Sequence, residues 1–356
     1  MEFSRHDTGA LSRGNSMPNN RRLSFDILNI LACFAVVLIH HNGLVHSFQD
    51  TPAWRQALFA ECSLYWCVPI FVMLSGATLL DYPERYSTRS FFKKRVLRTV
   101  VPWFSWSVIL LFCKLWLGLI EIEPMTAREC LAQILCFKVE GTYWYFGALF
   151  SLYLMMPVFA ALRADRRLLW YIAAVSFVVN SALPIVQGWL GLAFPLTFYA
   201  GGGLSIFIVL GYLLRDWRPS RRQRIVVYVA GIASLLFRYM YTLHYSLLNG
   251  MTDTSIKGYA TFHSVFLAIA VFVLVNHVDW QQLISRNMAA KLSMLSSCSF
   301  GVYLLHHFIM QVEALVIGVP NTSLIWRFAF AVLTYGISLC ITMVLKRVPI
   351  LRRIMG

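Results

Sequence analysis

Ten stretches of the chain are long and apolar, and short polar segments separate them. A bilayer core about 30 Å thick calls for roughly 20 mostly apolar residues per spanning helix. Residues 24–47, 62–80, 101–120, 143–162, 168–187, 196–214, 225–245, 260–278, 294–318 and 324–345 meet that length or come near it. The pattern predicts an all-α, polytopic integral membrane protein of about ten transmembrane helices. A membrane domain then covers 24–345, between a basic, disordered arm at 1–23 and a basic tail at 346–356. The first run leads into His40, His41 and Asn42 and not into a small-residue cleavage site, so the reading is a retained helix.

Charge supports the ten helices. Lys and Arg are retained on the cytoplasmic side of a membrane, so the connecting segments should alternate between basic and non-basic. They do: 24 of the 31 Lys and Arg fall in the segments on the side of the N-terminus. The opposite segments hold only Arg55, Arg128, Lys138 and Lys257, while Lys114, Arg238 and Arg327 lie within runs or at their ends. Both termini are therefore expected on the cytoplasmic side.

Composition agrees, with 58% apolar and 13% charged residues against about 45–50% and about 25% in soluble domains. In a soluble protein a net charge of +15 would suggest a nucleic-acid partner. Distributed as it is, the charge reads as membrane topology, with the lipid bilayer as partner and no nucleic acid. The connections at 81–100 and 121–142, about 20 residues each, are too short to fold alone. The eight cysteines show no CxxC or His/Cys spacing, and no metal site is read from them. Cys130 and Cys136 could pair in an outer connection or remain free thiols.

Ionisable groups within a spanning helix are costly and so hint at function. His40 lies near the outer end of the first helix. Asn29 is 11 residues earlier, which places the two within about 20° of one another around the axis; Asp26 falls within about 40° of the same line. The stripe suits a buried site, although His40 and His41 could equally be interfacial residues. His306 and His307 form a second pair about halfway along the ninth run, suited by their ordinary pKa to proton transfer. Lys94, Arg95 and Arg98 stand at the cytoplasmic start of the third run. They read as ordinary positive-inside charge or as a grip on phosphates. Tyr143, Trp144 and Tyr145 open the fourth run on the outer side, either as an aromatic belt or as a platform for a sugar. Gly201–Gly203 break or closely pack the sixth run, and Ser75 is a packing or hydrogen-bonding residue without an evident base.

Together these stretches resemble the membrane acyltransferase 3 family, in its surface-polysaccharide O-acetyltransferase branch. The resemblance covers nearly the whole apolar chain. It is carried by FDILNILACFAVVLIH, VPIFVMLSGATLL, FFKKRVLRTVVPWFSW and YWYFGALFSLYLMMPVF in that order, and by FIVLGYLLRD and SFGVYLLHHFIM further on. The last is similar to a Tyr-Leu-x-His pattern, which falls on Tyr303 and His306. In that family the first helix carries an Arg, ten residues and a His as catalytic groups. Here the His is His40, but Asn29 stands where the Arg is expected, with Arg22 two turns earlier on the same face.

The resemblance implies transfer of an acyl group, acetyl first, from acetyl-CoA or another acyl-CoA to a hydroxyl of a glycan or glycolipid in the bacterial inner membrane. His40 would act as base, helped by His306, with Asn29 in the Arg position. Lys94, Arg95 and Arg98 would hold the phosphates of CoA, and Trp144, Tyr145 and Tyr303 would meet the substrate. Polysaccharide-synthesis proteins are expected partners. A proton-coupled exporter or flippase of a polysaccharide precursor fits the same residues, as does a silent partner of a synthase.

Overall fold

The structure, a computed structural model, describes residues 22–120, 126–192, 195–320 and 322–356. The arm expected at 1–23 lies almost wholly outside the described residues. Among those described there are helices and turns but no strand. Eight helical stretches are long and apolar enough to cross a membrane, and two shorter apolar helices accompany them. In chain order the membrane helices are α1 Leu23–His41, α2 Cys67–Leu79, α3 Thr88–Trp116, α4 Trp144–Leu162, α5 Arg166–Leu190, α6 Ser205–Leu214, α7 Arg221–Asn249, α8 Phe262–His277, α9 Arg286–Ile317 and α10 Ile325–Arg347. Each overlaps one of the ten predicted runs, with boundaries that differ by up to 13 residues.

The first helix is central. It packs against α2, α8, α9 and α10, and small residues make this possible: Ala32, Cys33 and Ala35 are buried, together with Leu28, Val36 and Val37. Within a bilayer there is little hydrophobic gain from joining two apolar helices, so close backbone packing and polar contacts hold the bundle together. The tightest crossing joins α2 to α6. A β-carbon added at Gly76 would stand 2.0 Å from the Ile208 carbonyl oxygen, and one at Gly211 would stand 2.0 Å from that of Met73. Each glycine thus lets the other helix's backbone approach.

Three segments differ from the hydrophobic pattern. The connection after α1 contains a helix, Pro52–Leu64, and α2 continues from it within one apolar stretch, Pro52–Glu84. Thr51 caps it by accepting from the Trp54 amide at 3.3 Å, with Pro52 in the first turn. Arg55, Gln56 and Glu61 interrupt its apolar character, which is why the pattern places it in a loop. Yet Trp54, Ala57 and Leu58 are buried. In the sixth run, helix begins only at Ser205, after a short 3-10 turn at Tyr199–Gly201 and Gly203 at φ +59°. The basic tail expected at 346–356 contains the short helix Pro349–Arg352. Met355 is fully buried, and Trp106 donates to the Ile354 carbonyl at 2.9 Å.

Candidate active site

The helical turn separates the two neighbouring histidines of α1. His40 faces α9, its ring centroid 5.4 Å from that of His306 and 5.7 Å from that of His307. His41 points to α10, where its Nε2 lies 2.8 Å from the Thr334 hydroxyl. Thr334 in turn donates to Glu313, and Trp326 packs on the imidazole at 4.8 Å. His41 therefore ties helices together, while His40 belongs to a cluster of three imidazoles.

Within that cluster the backbone fixes His306. Its Nδ1 donates to the Tyr303 carbonyl at 2.8 Å, and its Nε2 is buried without a partner. An imidazole whose Nδ1 carries the proton presents Nε2 as an acceptor. Tyr303 packs on the same ring at 5.5 Å and donates its hydroxyl to the Thr142 carbonyl at 2.6 Å. His307 has an acidic partner: its Nδ1 is 2.5 Å from Glu140 Oε2. The Lys114 ammonium stands 2.9 Å from Glu140 Oε1 and donates to the Val139 carbonyl at 2.8 Å. Sequence reasoning did not weigh Glu140 and Lys114. Their signal was one charge of each sign at the edges of apolar runs, 26 positions apart, a separation that spacing rules do not connect.

A cavity of about 870 Å³ opens on the basic face and runs inward as far as Tyr303, while none of the three histidines lines it. Arg22, Arg85, Arg95, Arg98 and Arg215 line its outer part, Asp26, Asn29 and Ser75 its wall, and Phe71, Tyr145 and Tyr303 its deep end. Tyr303 thus stands between the cavity and His306. The backbone from Val96 to Val100 is a π-turn, which widens the helix where Arg98 sits, a feature often found at functional sites. Among the described residues Arg95 and Arg98 make no ion pair, and Arg95 Nε is buried without a partner. Lys94 is elsewhere, its ammonium 3.6 Å above the Tyr86 ring and outside the cavity lining.

Asn29 donates to the Ser296 carbonyl at 2.9 Å and lies 3.0 Å from the Ser296 hydroxyl, which holds α1 to α9. Arg22 is turned to the cavity mouth, where it donates to the Arg215 carbonyl at 2.5 Å and pairs with Asp216. Burial works against ionisation of Asp216. Hydrogen bonds from Arg22 and Arg215 outweigh it and hold the carboxyl below the ordinary carboxylate range. Ser75 donates to the Phe71 carbonyl at 2.9 Å. The eight cysteines, Cys130 and Cys136 included, are free.

Trp144 lies on the opposite side of the bundle from the cavity mouth, 43% exposed, and stacks on Tyr259 at 5.7 Å. Tyr259 stacks on Tyr65 at 4.3 Å, and the Arg238 guanidinium covers the far face of Tyr65 at 3.6 Å. Glu61 lies beneath, 3.0 Å from Lys257 and 3.7 Å from Arg238.

A polar interior that lipid could not satisfy, enclosed by apolar helices, defines a multi-pass membrane protein. The chain belongs to the acyltransferase domain family, which matches residues 22–343. It is similar to Nodulation protein NolL of Mesorhizobium japonicum, 26% identical over 176 residues, which is 49% of this chain and 45% of the relative. Its similarity to Nodulation protein NolL of Sinorhizobium fredii is 26% over 181 residues, 50% of this chain and 46% of the relative. The chain thus spans under half the length of these curated relatives. No solved structure matches it.

Proposed function

We propose that the protein is an integral membrane O-acyltransferase of the bacterial inner membrane. It would move an acyl group, acetyl first, from cytoplasmic acyl-CoA to a hydroxyl of a surface polysaccharide, glycolipid or lipid-linked sugar. Family membership gives the reaction type. The observation that carries the donor side is the cavity, whose volume lies within the roughly 300–1,000 Å³ usual for small-molecule sites. It joins a wide mouth, where Arg95 and Arg98 make no ion pair among the described residues, to an apolar, aromatic deep end. Phosphates suit the first and a thin thioester arm suits the second.

In this reading Arg95 and Arg98 bind the phosphates, and the arm runs past Asn29 and Ser75 towards Tyr145 and Tyr303. His40 takes the proton of the acceptor hydroxyl as its oxygen attacks the thioester carbonyl. The new O–C bond forms, the C–S bond breaks, and the proton ends on the sulfur of CoA. Asn29 offers a neutral hydrogen bond where the family resemblance expects a cation, and Trp144 gives a sugar an exposed face on which to stack.

The test is incorporation of label from labelled acetyl-CoA into the glycan fraction of a membrane extract by the purified protein. His40→Ala is expected to lower transfer by at least a hundredfold. Transfer at the parent rate by that variant would rule out the mechanism.

A further inference from the structure

Of the three imidazoles at the centre, one has a carboxylate. His307 Nδ1 meets Glu140 Oε2 at 2.5 Å, which places the proton of this contact between the two groups and leaves Nε2 as the free nitrogen. The Gln311 amide nitrogen lies 3.1 Å from the same Nδ1 while its oxygen is buried without a partner, and turning the amide over would bring that oxygen to a protonated Nδ1. The Glu140 side chain is 0% exposed and that of Lys114 is 7% exposed. A carboxylate in such a place is retained only if it is paired and held. Lys114 supplies the pairing from α3, and its hydrogen bond to the Val139 carbonyl anchors the ammonium to the backbone just before Glu140. Lys114 of α3, Glu140 before α4 and His307 of α9 thus form one line of contacts.

The other two imidazoles lack this support. His306 Nδ1 is committed to a neutral carbonyl, and His40 contacts no carboxylate among the described residues. A proton taken from an acceptor hydroxyl puts positive charge on an imidazole in a water-poor bundle. The ring able to carry that charge is the one facing a carboxylate, as in the general arrangement of a base oriented by a third group.

We propose that Lys114, Glu140 and His307 form a charge-stabilising relay for the transfer reaction, with His307 receiving the proton that His40 accepts. This rests on the acyltransferase reading above. The acceptor oxygen bonds to the acyl carbon as its proton passes to His40 and then to His307 Nε2. The C–S bond breaks and the thiolate retains its electron pair. The proton returns from His307 by way of His40 to that sulfur, so the enzyme ends as it began. His307 carries the proton, while Glu140 and Lys114 are positioning residues that act through it.

The experiment measures acetyl transfer to the glycan fraction of a membrane extract, with labelled CoA binding and thermal melting measured on the same detergent-purified protein. Glu140→Gln is expected to lower kcat by about a hundredfold with KM for acetyl-CoA and CoA binding within twofold of the parent, and Glu140→Asp to restore at least a tenth of the parent rate. His307→Gln keeps the Lys114–Glu140 pair and is expected to lose as much as Glu140→Gln, with the double variant no worse than either. If Glu140→Gln does not fold, His307→Gln decides. A folded His307→Gln or Glu140→Gln protein with kcat within threefold of the parent overturns the relay. So does a loss at Glu140 that Asp does not restore, or one that appears in KM. If the parent protein itself transfers no label from acetyl-CoA, the acyltransferase reading fails, which separates that failure from a failure of the relay.

Discussion

The bundle holds arginines in two opposite conditions. On the basic face, Arg95 and Arg98 line an open cavity and have no carboxylate among the described residues. At the far end, Arg238 and Glu61 are buried, with the half-buried Lys257 beside them and a stack of Tyr65, Tyr259 and Trp144 over them. The residue type is the same, but the surroundings assign different work. A paired, closed guanidinium holds helices together, whereas an unpaired one at a wetted wall is available to an anion.

The largest effect should come from opening the closed cluster. Glu61→Gln removes the carboxylate from two cations, one of them buried, and is expected to cost about 3–5 kcal/mol. The measurement is thermal unfolding of the detergent-purified protein; a melting temperature unchanged from the parent would dissolve the contrast. Next, Arg98→Gln or Arg95→Gln at the open wall should leave melting nearly unchanged while weakening CoA binding. Loss of one charge-assisted contact is worth about 1.5–3 kcal/mol, so the dissociation constant should rise at least tenfold. Calorimetry or filter binding with labelled CoA checks this, and equal losses of stability at both ends would erase the distinction.

The smallest effect concerns pH at the closed end. Burial, then the Lys257 ammonium, holds the His46 imidazole below its ordinary value, with Glu61 pulling the other way. The folded protein therefore binds that proton less readily than the unfolded chain. Its stabilising contribution is present above the unfolded pKa of about 6.5 and is lost as pH falls through that value towards the folded one. The protection factors of the amides in residues 43–47, with the intrinsic pH dependence of exchange divided out, should fall between pH 7.5 and 5.5, and His46→Gln should remove most of that dependence.

Much of this was legible in the sequence. The ten apolar runs place the helices, because lipid imposes a length rule that acts locally. His40 and His306 are also legible, since helical spacing and position within an apolar run mark them, and the fold puts their rings together. His307 was visible only as a neighbour of His306. The partners that give it chemical character, Glu140 and Lys114, come from other segments, and no periodicity links them. Lys94 and Arg95 are adjacent in sequence, yet one rests on Tyr86 and the other lines the cavity, because successive helical residues point about 100° apart. For Pro52–Leu64, tertiary packing of Trp54 prevailed over the polar residues that had suggested a loop.

The crossing of α2 and α6 has a consequence for genetics. Every single-base missense change at a glycine codon adds a side chain. At Gly76 and Gly211 even a methyl group would meet a carbonyl oxygen at 2.0 Å. These two codons therefore tolerate no missense change without displacing a helix, and a random screen for conditional alleles should find them without reference to the histidines at all.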